Sequence, residues 1–577
     1  MTSKNTETTK ADQDLTASNP AAQAEHSMAA ASPAPKAEHS TAAANPITEG
    51  VIWQQILFFF FPLLLSSFFQ QLYNTADALI VGRTAGKEAL SAVGGSSGSV
   101  LIIFIMFYVG FAGGASVPAA RFFGAKNERD LQETIRLSLL ISSVLGIVGT
   151  VICFGGARVI LTAMHTPADI LDLSVSYLRI VAPGLIPSAL YNMEAAALRA
   201  MGDSRRPLAV LIFTCLTNIG LDLLLVAVLG MGAVGAGIAT AVCHLLSALL
   251  ALAFLRKKTS SLFGDIRSDI PSGASSAVSS DGSSAVSSVS SSAVSSVSSS
   301  AVSSDISSDG SSAVSSVSSS AVSSGGSSAV SSDISQDVSQ KKSSSGKHKK
   351  GLSQRLRTPD SLARLILRMG LPLGLAEVMY TFANVILMSV VNGFGTDTVA
   401  AYAAYGKIDA IFWMVVGSFG ISITTFVGQN IGAGRWDRVM QSIRESTLMM
   451  FIVLGAVIAV LYAFAYPLQN LFCTDPEVVA IGTDMMHFLM PFYFLYIPIE
   501  ILFSALRGMG DSIIPTLITF FGVCVLRSVW GLFIVPLHHT VNMVLLGFPV
   551  TWIVSTAAFI IYFRIYMRRR HPEAADF

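Results

Sequence analysis

The sequence predicts an all-α polytopic membrane protein, with twelve transmembrane helices arranged as two six-helix bundles. Three observations point to this class. Of the 577 residues, 52% are hydrophobic and only 13% are charged, which is far from the balance of a soluble domain. The apolar residues gather in stretches long enough to cross a bilayer as helices. The second half of the chain also repeats motifs of the first half in the same order.

The apolar stretches divide evenly between the two halves of the chain. A helix is expected in each stretch, because only a helix satisfies its own backbone polar groups in hydrocarbon. In the first half we place helices at 51–81, 90–118, 135–160, 170–195, 207–229 and 233–255. In the second half we place them at 361–391, 399–427, 443–466, 480–504, 514–536 and 542–566.

The segments outside these helices have a different composition. We therefore divide the chain into a disordered N-terminal arm at 1–50, an N-lobe at 51–256, a Ser-rich low-complexity linker at 257–360, a C-lobe at 361–566 and a tail at 567–577. The arm consists mainly of Ala, Ser, Thr, Glu and Pro, and the linker is rich in Ser and Gly. Such segments offer too little apolar area to offset the entropy of ordering the backbone.

Lys and Arg are concentrated in alternate loops. They lie in the loops after the predicted second and fourth helices, in the linker and in the tail, with Lys126, Arg205 and Arg568 as examples. Such residues favour the cytoplasmic side, so both termini and the linker are predicted to be cytoplasmic and the chain to lie in the cell membrane. Arg83 and Lys87 in the first loop depart from the pattern.

One motif recurs almost unchanged in the two halves. The segment 197–204 reads ALRAMGDS, and the segment 505–512, which lies 308 positions later, reads ALRGMGDS. Six helices per half return the chain to the same side of the membrane, so the two copies are related by a pseudo-twofold along the membrane normal. Duplicated bundles of this kind surround a central pathway in transporters.

Further motifs accompany this repeat and carry a family resemblance. They are Asn74-Thr75-Ala76-Asp77 with Val81-Gly82, Asn218-Ile219-Gly220-Leu221-Asp222, and the segment 427–434, VGQNIGAG. With the two repeated segments, they make residues 50–256 and 361–566 resemble the multidrug and toxic compound extrusion family. The resemblance implies two six-helix lobes and export of small molecules. It also implies a cation pocket at Asp77, Asn218 and Asp222, which match the positions that form this pocket in proton-coupled members.

Polar residues form two stripes, one on the first predicted helix and one on the fifth. Ser66, Gln70, Asn74 and Asp77 share one face of the first helix, and Thr214, Asn218 and Asp222 share one face of the fifth. Both aspartates lie in the outer halves of helices that run in the same direction, so they can meet in one N-lobe pocket. Two desolvated acids that repel each other favour a shared proton, while the same oxygens with Asn74 and Asn218 also suit sodium.

Several of these residues have a plainer interpretation as well. Gln70 and Thr214 can form interhelical hydrogen bonds without any part in transport. In the C-lobe, Glu377 and Glu500 are candidate substrate or coupling residues, since acids in apolar segments are costly and mark pathways. Pro62 is a candidate hinge in the first helix, with a static kink as the alternative.

The sequence predicts a secondary active exporter. We expect alternating access that exchanges H⁺ or Na⁺ for amphipathic, cationic organic compounds, with a flippase of lipid-linked precursors as the alternative. No GxxxxGK[ST] phosphate loop is present, so ATP is not implied. We expect no catalytic residue, no cofactor, no metal beyond Na⁺ and no nucleic-acid partner for a chain of net charge +1. Membrane lipid and small organic substrates are the expected partners of a monomer.

Overall fold

The structure, a computed structural model, describes residues 45–263 and 358–570. Within these ranges the regular secondary structure is helical throughout, and twelve helices are long and apolar enough to cross a membrane. The predicted arm up to residue 44, the linker from 264 to 357 and the tail from 571 lie outside the described residues.

Six spanning helices build the N-lobe. They are α1 (Ile52–Thr84), α2 (Ser96–Gly124, preceded by a short helix Gly86–Gly94), α3 (Glu128–Ala163), α4 (Ala168–Ala200), α5 (Arg205–Val228) and α6 (Gly232–Phe263). Each overlaps one predicted span. The predicted bounds were less accurate, as α3 begins at Glu128 and not at 135.

Six spanning helices also build the C-lobe. They are α7 (Pro359–Val391), α8 (Thr396–Gly432), α9 (Trp436–Ala463), α10 (Pro476–Leu489 continuing as Ile497–Gly508), α11 (Ile513–Leu537) and α12 (Val541–Arg570). A short helix, Ala465–Phe472, follows α9. The two-lobed, twelve-helix fold predicted from the sequence is confirmed.

The repeat extends to the irregularities of the helices. In α4 a 3₁₀ segment interrupts the α-helix at Ala182–Gly184, and in α10 a 3₁₀ segment does so at Met490–Leu495. Each contains a proline, Pro183 or Pro491. Proline removes a backbone donor and crowds the preceding turn, so corresponding prolines produce corresponding breaks.

Helices α2 and α7 join the two lobes through small residues. Each carries two glycines four positions apart, Gly110 and Gly114 in α2, and Gly370 and Gly374 in α7. A Cβ added to Gly114 would lie 2.2 Å from the carbonyl oxygen of Met369, so only glycine allows this approach. Small residues at such spacing let helix backbones touch in membranes, and here they hold the lobes together.

Helix α1 contacts both lobes along its length. Its first half, with Ile52, Ile56 and Phe60, packs into the C-lobe core, and the Phe60 ring lies 4.3 Å from that of Phe419. Val81, near its other end, belongs to the N-lobe core. Pro62 lies where the first of these contacts ends, although α1 is continuous from Ile52 to Thr84.

The lobes also meet at the end of the bundle that carries the loops 125–127, 201–204 and 433–435. We call it the basic end, because Lys126, Arg205 and Arg435 lie there. A Cβ on Gly124 would lie 2.0 Å from the carbonyl oxygen of Gln429, and one on Gly432 would lie 2.0 Å from that of Arg121. These backbone contacts close the basic end of the bundle.

Residues 45–50 differ from the expectation of a disordered arm. A short helix forms at Pro46–Glu49, and Ile47 is only 5% exposed within the C-lobe core cluster. Apolar burial of Ile47 and hydrogen bonds with the C-lobe offset the entropy of ordering this segment. Composition alone does not reveal these contacts, because the partners lie far away in the chain.

Candidate functional site

The structure brings the two N-lobe aspartates together. Helix α1 packs along α5, and the carboxyl groups of Asp77 and Asp222 lie within reach of each other for a side-chain hydrogen bond. Asp222 is fully buried and Asp77 is partly buried. A direct contact between two carboxyl groups is a hydrogen bond only when one of them carries a proton.

The pair has no other donor to satisfy it. Both oxygens of Asp222, Oδ1 of Asp77 and both amide atoms of Asn218 are buried without a hydrogen-bond partner in the described part of the chain. Buried polar groups are nearly always paired, and an unpaired buried charge is more costly still. A proton or a cation between the two carboxyl groups would satisfy these oxygens.

A local irregularity of α5 follows Asp222 directly. The regular helix ends at Asp222, and a π-helical segment runs from Leu223 to Val228. A π-helical turn contains an extra residue, changes which side chains face a neighbour, and recurs at functional sites. Asp222 is thus the last residue before the change of register.

Four further side chains surround the pair, and the sequence analysis did not name them. The hydroxyl groups of Tyr73 and Tyr177 lie beside Thr240. Cys243 lies beside Asn218 and close to Asp222. Tyr73 lies one helical turn before Asp77, so its spacing was a usable signal; Tyr177, Thr240 and Cys243 lie on α4 and α6, where no polar stripe marked them.

The remaining predicted residues of α1 and α5 lie in other surroundings. The side chains of Gln70 and Asn74 are exposed, in contrast to the buried Asn218. Thr214 is buried, but its hydroxyl donates to the carbonyl oxygen of Val210 on its own helix, at 3.0 Å. The hydroxyl of Ser66 similarly donates to the Pro62 carbonyl oxygen, at 2.7 Å. The cluster around the two aspartates is therefore smaller than the two stripes indicated.

Glu377 and Glu500 both lie near one arginine side chain in the C-lobe. Arg507 interacts electrostatically with both of them and donates to the Thr424 hydroxyl at 3.0 and 2.8 Å. Glu500 accepts from Ser504 at 2.8 Å. A Cβ on Gly110 would lie 2.7 Å from Cγ of Glu377, so Glu377 lies against α2, at the interface of the lobes.

A second charged cluster in the C-lobe contains one acid, Asp409, and one base, Arg527. Asp409 accepts hydrogen bonds from Trp413 Nε1, at 2.7 Å, and from the Tyr493 hydroxyl. The Tyr405 hydroxyl lies 2.7 Å from that of Tyr493. Arg527 interacts electrostatically with Asp409, so this acid has both donors and a counter-charge.

Arg527 is held by its own set of contacts. Its guanidinium group lies 4.2 Å from the centre of the Phe548 ring and donates to the Thr551 hydroxyl at 3.4 Å. The side chain is 2% exposed, and a cation against an aromatic face gains energy when desolvated. A lone arginine in the apolar stretch of α11 was the available sequence signal.

Two residues of the Arg527 cluster correspond to residues of the N-lobe pocket through the repeat. Thr551 lies 308 positions after Cys243, but Arg527 lies 309 positions after Asn218. Helix α11 contains a π-helical segment at Phe520–Val525, just before Arg527, and a π-helical turn absorbs one extra residue. Arg527 beside Thr551 is therefore the structural counterpart of Asn218 beside Cys243.

Two lobes from one duplicated bundle, with an unsatisfied acidic pair buried in the first, define the chain as a polytopic membrane transporter. The family model MatE matches residues 62–224 and again 372–533. The chain belongs to this family, whose members are the multidrug and toxic compound extrusion transporters.

Individual relatives agree with the family match. The probable multidrug resistance protein YoeA of Bacillus subtilis (strain 168) is 25% identical over 517 residues, which cover 88% of this chain and 91% of the relative. The probable multidrug resistance protein YpnP of the same strain is 22% identical over 446 residues, which cover 77% of this chain and 80% of that relative. A solved structure described as the outward-facing conformation of a multidrug resistance MATE family transporter aligns with a TM-score of 0.69, at 19% identity, over 92% of this chain and 99% of that one.

Proposed function

We propose that this protein exports amphipathic, cationic small molecules in exchange for a cation that binds between Asp77 and Asp222. The observation that carries the proposal is the buried pair of carboxyl groups, adjacent to each other and without a donor. The names of the relatives support multidrug export. The family match supports it over flipping of lipid-linked precursors.

A proton fits the pair most directly, because one proton turns two repelling carboxylates into a hydrogen-bonded unit. Sodium needs several oxygen ligands, and Asn218, Thr240 and the Tyr73 and Tyr177 hydroxyls supply candidates beside the acids. Gln70, Asn74 and Thr214 remain candidate residues at the edge of this site.

The coupling mechanism we propose is alternating access. Cation binding neutralises the pair and changes the relative energies of the two conformations, while substrate binding favours the conformation that releases the cation. A membrane potential contributes about 2.3 kcal/mol per charge per 100 mV, so one coupled cation supplies a useful gradient. Pro62 serves as the hinge in this proposal, since it lies at the end of the part of α1 that contacts the C-lobe.

Glu377 and Glu500 are proposed to contact the cationic group of the substrate or to take part in coupling. Their carboxyl groups share one guanidinium, that of Arg507, so the cluster contains two acids and one base. An excess of acids over bases at the lobe interface favours an organic cation.

The test is ethidium efflux from membrane vesicles energised separately with a proton gradient and a sodium gradient. Wild-type protein, Asp77→Asn and Asp222→Asn are compared at equal expression. We expect one of the two gradients to drive efflux in the wild type and neither to do so in the variants. Variants that export as fast as the wild type would remove the cation pocket from the mechanism.

A further inference from the structure

The six residues before α1 bind a surface on the C-lobe. The segment Asn45–Gly50 contains the short helix Pro46–Glu49, and the Asn45 carboxamide accepts from the backbone N–H of Ile47 at 3.1 Å. Ile47 and Thr48 are 5% and 6% exposed. The segment is therefore folded and buried, and is more than a connection into the membrane.

One glutamine joins the segment to both lobes. The Asn45 amide group donates to Oε1 of Gln429 on α8, at 3.1 Å, and Nε2 of Gln429 donates to the carbonyl oxygen of Ala200 at the end of α4, at 2.7 Å. Gln429 is fully buried. Its two bonds cannot both persist if the ends of α4 and α8 separate.

An arginine of the C-lobe holds the other end of the segment. Nη2 of Arg438 donates to the carbonyl oxygens of Ile47 and Gly50, at 3.1 and 2.6 Å, and Nε donates to Oδ1 of Asn430 at 3.3 Å. A charged donor on carbonyls at the end of a short helix forms stronger bonds than neutral donors do. These contacts fix the segment to the C-lobe.

The segment also approaches the N-lobe, at a turn whose backbone conformation favours glycine. Gly202 has a φ of +78°, and a Cβ there would lie 3.2 Å from Cδ1 of Ile47. The turn follows α4, next to the Ala200 carbonyl that Gln429 binds. Ile47 therefore fills the space between the lobes at the basic end, where Gly124 and Gly432 already bring the backbones together.

We propose that Asn45–Gly50 is a latch that docks between the lobes only while the basic end is closed. Opening that end breaks the hydrogen bond from Gln429 to Ala200. It also moves the turn at Gly202 away from Ile47. The docked latch raises the population of the closed conformation and so influences how often the site opens to the basic side. The latch rests on the alternation of conformations proposed above, but it concerns a contact that no step of cation binding uses.

The test measures the distance between the basic ends of the lobes in the full-length purified protein in nanodiscs. Spin labels are placed on Arg129→Cys and Arg444→Cys, two exposed positions on α3 and α9, and distances are measured by double electron–electron resonance. Cys473→Ser removes the cysteine that is only partly buried, and the other four cysteines are buried. The ratio of the short to the long distance reports closed and open molecules.

We expect Asn45→Ala to lower the closed-to-open ratio about fivefold and Gln429→Ala to lower it at least about tenfold. The double variant should match Gln429→Ala alone, because Asn45 reaches the lobes through Gln429. Asn127→Ala is the control for Asn45, as it caps α3 within a single lobe. Gln441→Ala is the control for Gln429, as its side chain bonds to Glu445 on its own helix.

The outcomes separate the latch from the transport mechanism. Two distance populations that respond to pH or sodium but not to Asn45→Ala would overturn the latch alone. Additive effects of Asn45→Ala and Gln429→Ala would also overturn it, because the two side chains would then act independently. One unchanging distance in every variant and ionic condition would overturn alternating access itself.

Discussion

The acidic pocket of the N-lobe and the Arg527 cluster of the C-lobe share one equivalent position of the repeat, Asn218 and Arg527, but their acids have opposite electrostatic surroundings. In the N-lobe, Asp77 and Asp222 face each other, and no donor in the described residues satisfies them. In the C-lobe, Asp409 accepts hydrogen bonds from Tyr493 and Trp413 and interacts electrostatically with Arg527. In the proposed function the first pocket binds an exchangeable cation, whereas the second contains the guanidinium cation of Arg527.

The two copies of one duplicated bundle therefore contain charged clusters with different properties. A pocket that must be filled and emptied in each cycle has to leave its acids unsatisfied in one state, which costs stability. A pocket with a built-in guanidinium has no such state. We therefore expect substitutions in the N-lobe pocket to change ion dependence, and substitutions in the C-lobe pocket to change stability.

The largest expected effect is that of Asp222→Asn. Without this acid the pair cannot bind a cation, so gradient-driven ethidium efflux should fall by at least about tenfold. The dependence of the melting temperature on pH or sodium should weaken as well, since a cation that binds only the folded protein stabilises it. Asp397→Asn, at an exposed position at the start of α8, is the matched control and should export normally.

Arg527→Gln should have the next largest effect, and this effect is a loss of stability. It removes the positive charge near the partly buried Asp409 and the cation–π contact with Phe548, and should lower the free energy of unfolding by about 3 kcal/mol. A thermal melt of the purified protein measures this, with Arg527→Lys as the conservative comparison. The ion that drives efflux should stay the same; a change of coupling ion in Arg527→Gln would contradict the different properties of the two clusters.

Tyr493→Phe should produce a smaller loss. The substitution removes one hydroxyl donor to the Asp409 carboxylate while Trp413 still donates, and a hydrogen bond to a charged group contributes about 1.5–3 kcal/mol. Tyr177→Phe in the N-lobe is the paired substitution, and we expect it to alter the pH profile of efflux more than the melting temperature. The reverse pattern would remove the contrast between the lobes.

The smallest expected effect is that of Thr214→Val. The hydroxyl bonds to a carbonyl group of its own helix, which already accepts from the helix backbone, so its loss should change the melting temperature by the equivalent of less than about 1 kcal/mol. Efflux driven by either gradient should be unchanged. A large loss of efflux in Thr214→Val would extend the cation site along α5.

The sequence predicted the fold well because a membrane leaves few options. Spanning segments have to be apolar and helical, and a repeated segment such as ALRAMGDS identifies the two halves. The site was predicted in part, since Asp77 and Asp222 stand out as acids in apolar helices. Tyr177 and Thr240 do not stand out, because tyrosine and threonine are ordinary in membrane helices and only the packing of α4 and α6 brings them to the pair.

Other parts of the structure depend on contacts between distant residues. Nothing in the composition of residues 45–50 shows that Gln429 and Arg438 bind them. Arg527 likewise looks like an isolated charge until the fold places it beside Phe548 and Asp409. Periodicity within one helix cannot reveal such pairs, since their members are separated by tens to hundreds of residues.

The π-helical segment at Phe520–Val525 has a consequence for how the two halves diverged. A single extra residue in a membrane helix shifts the later positions of that helix without breaking it. In α11 the extra residue changes which side chains face the bundle, whereas the corresponding part of α5, Arg205–Asp222, is a regular α-helix. Transfer of functional assignments at a constant offset of 308 therefore fails within α11 beyond Phe520, where Asn218 corresponds to Arg527, whereas the offset is again 308 at Cys243 and Thr551.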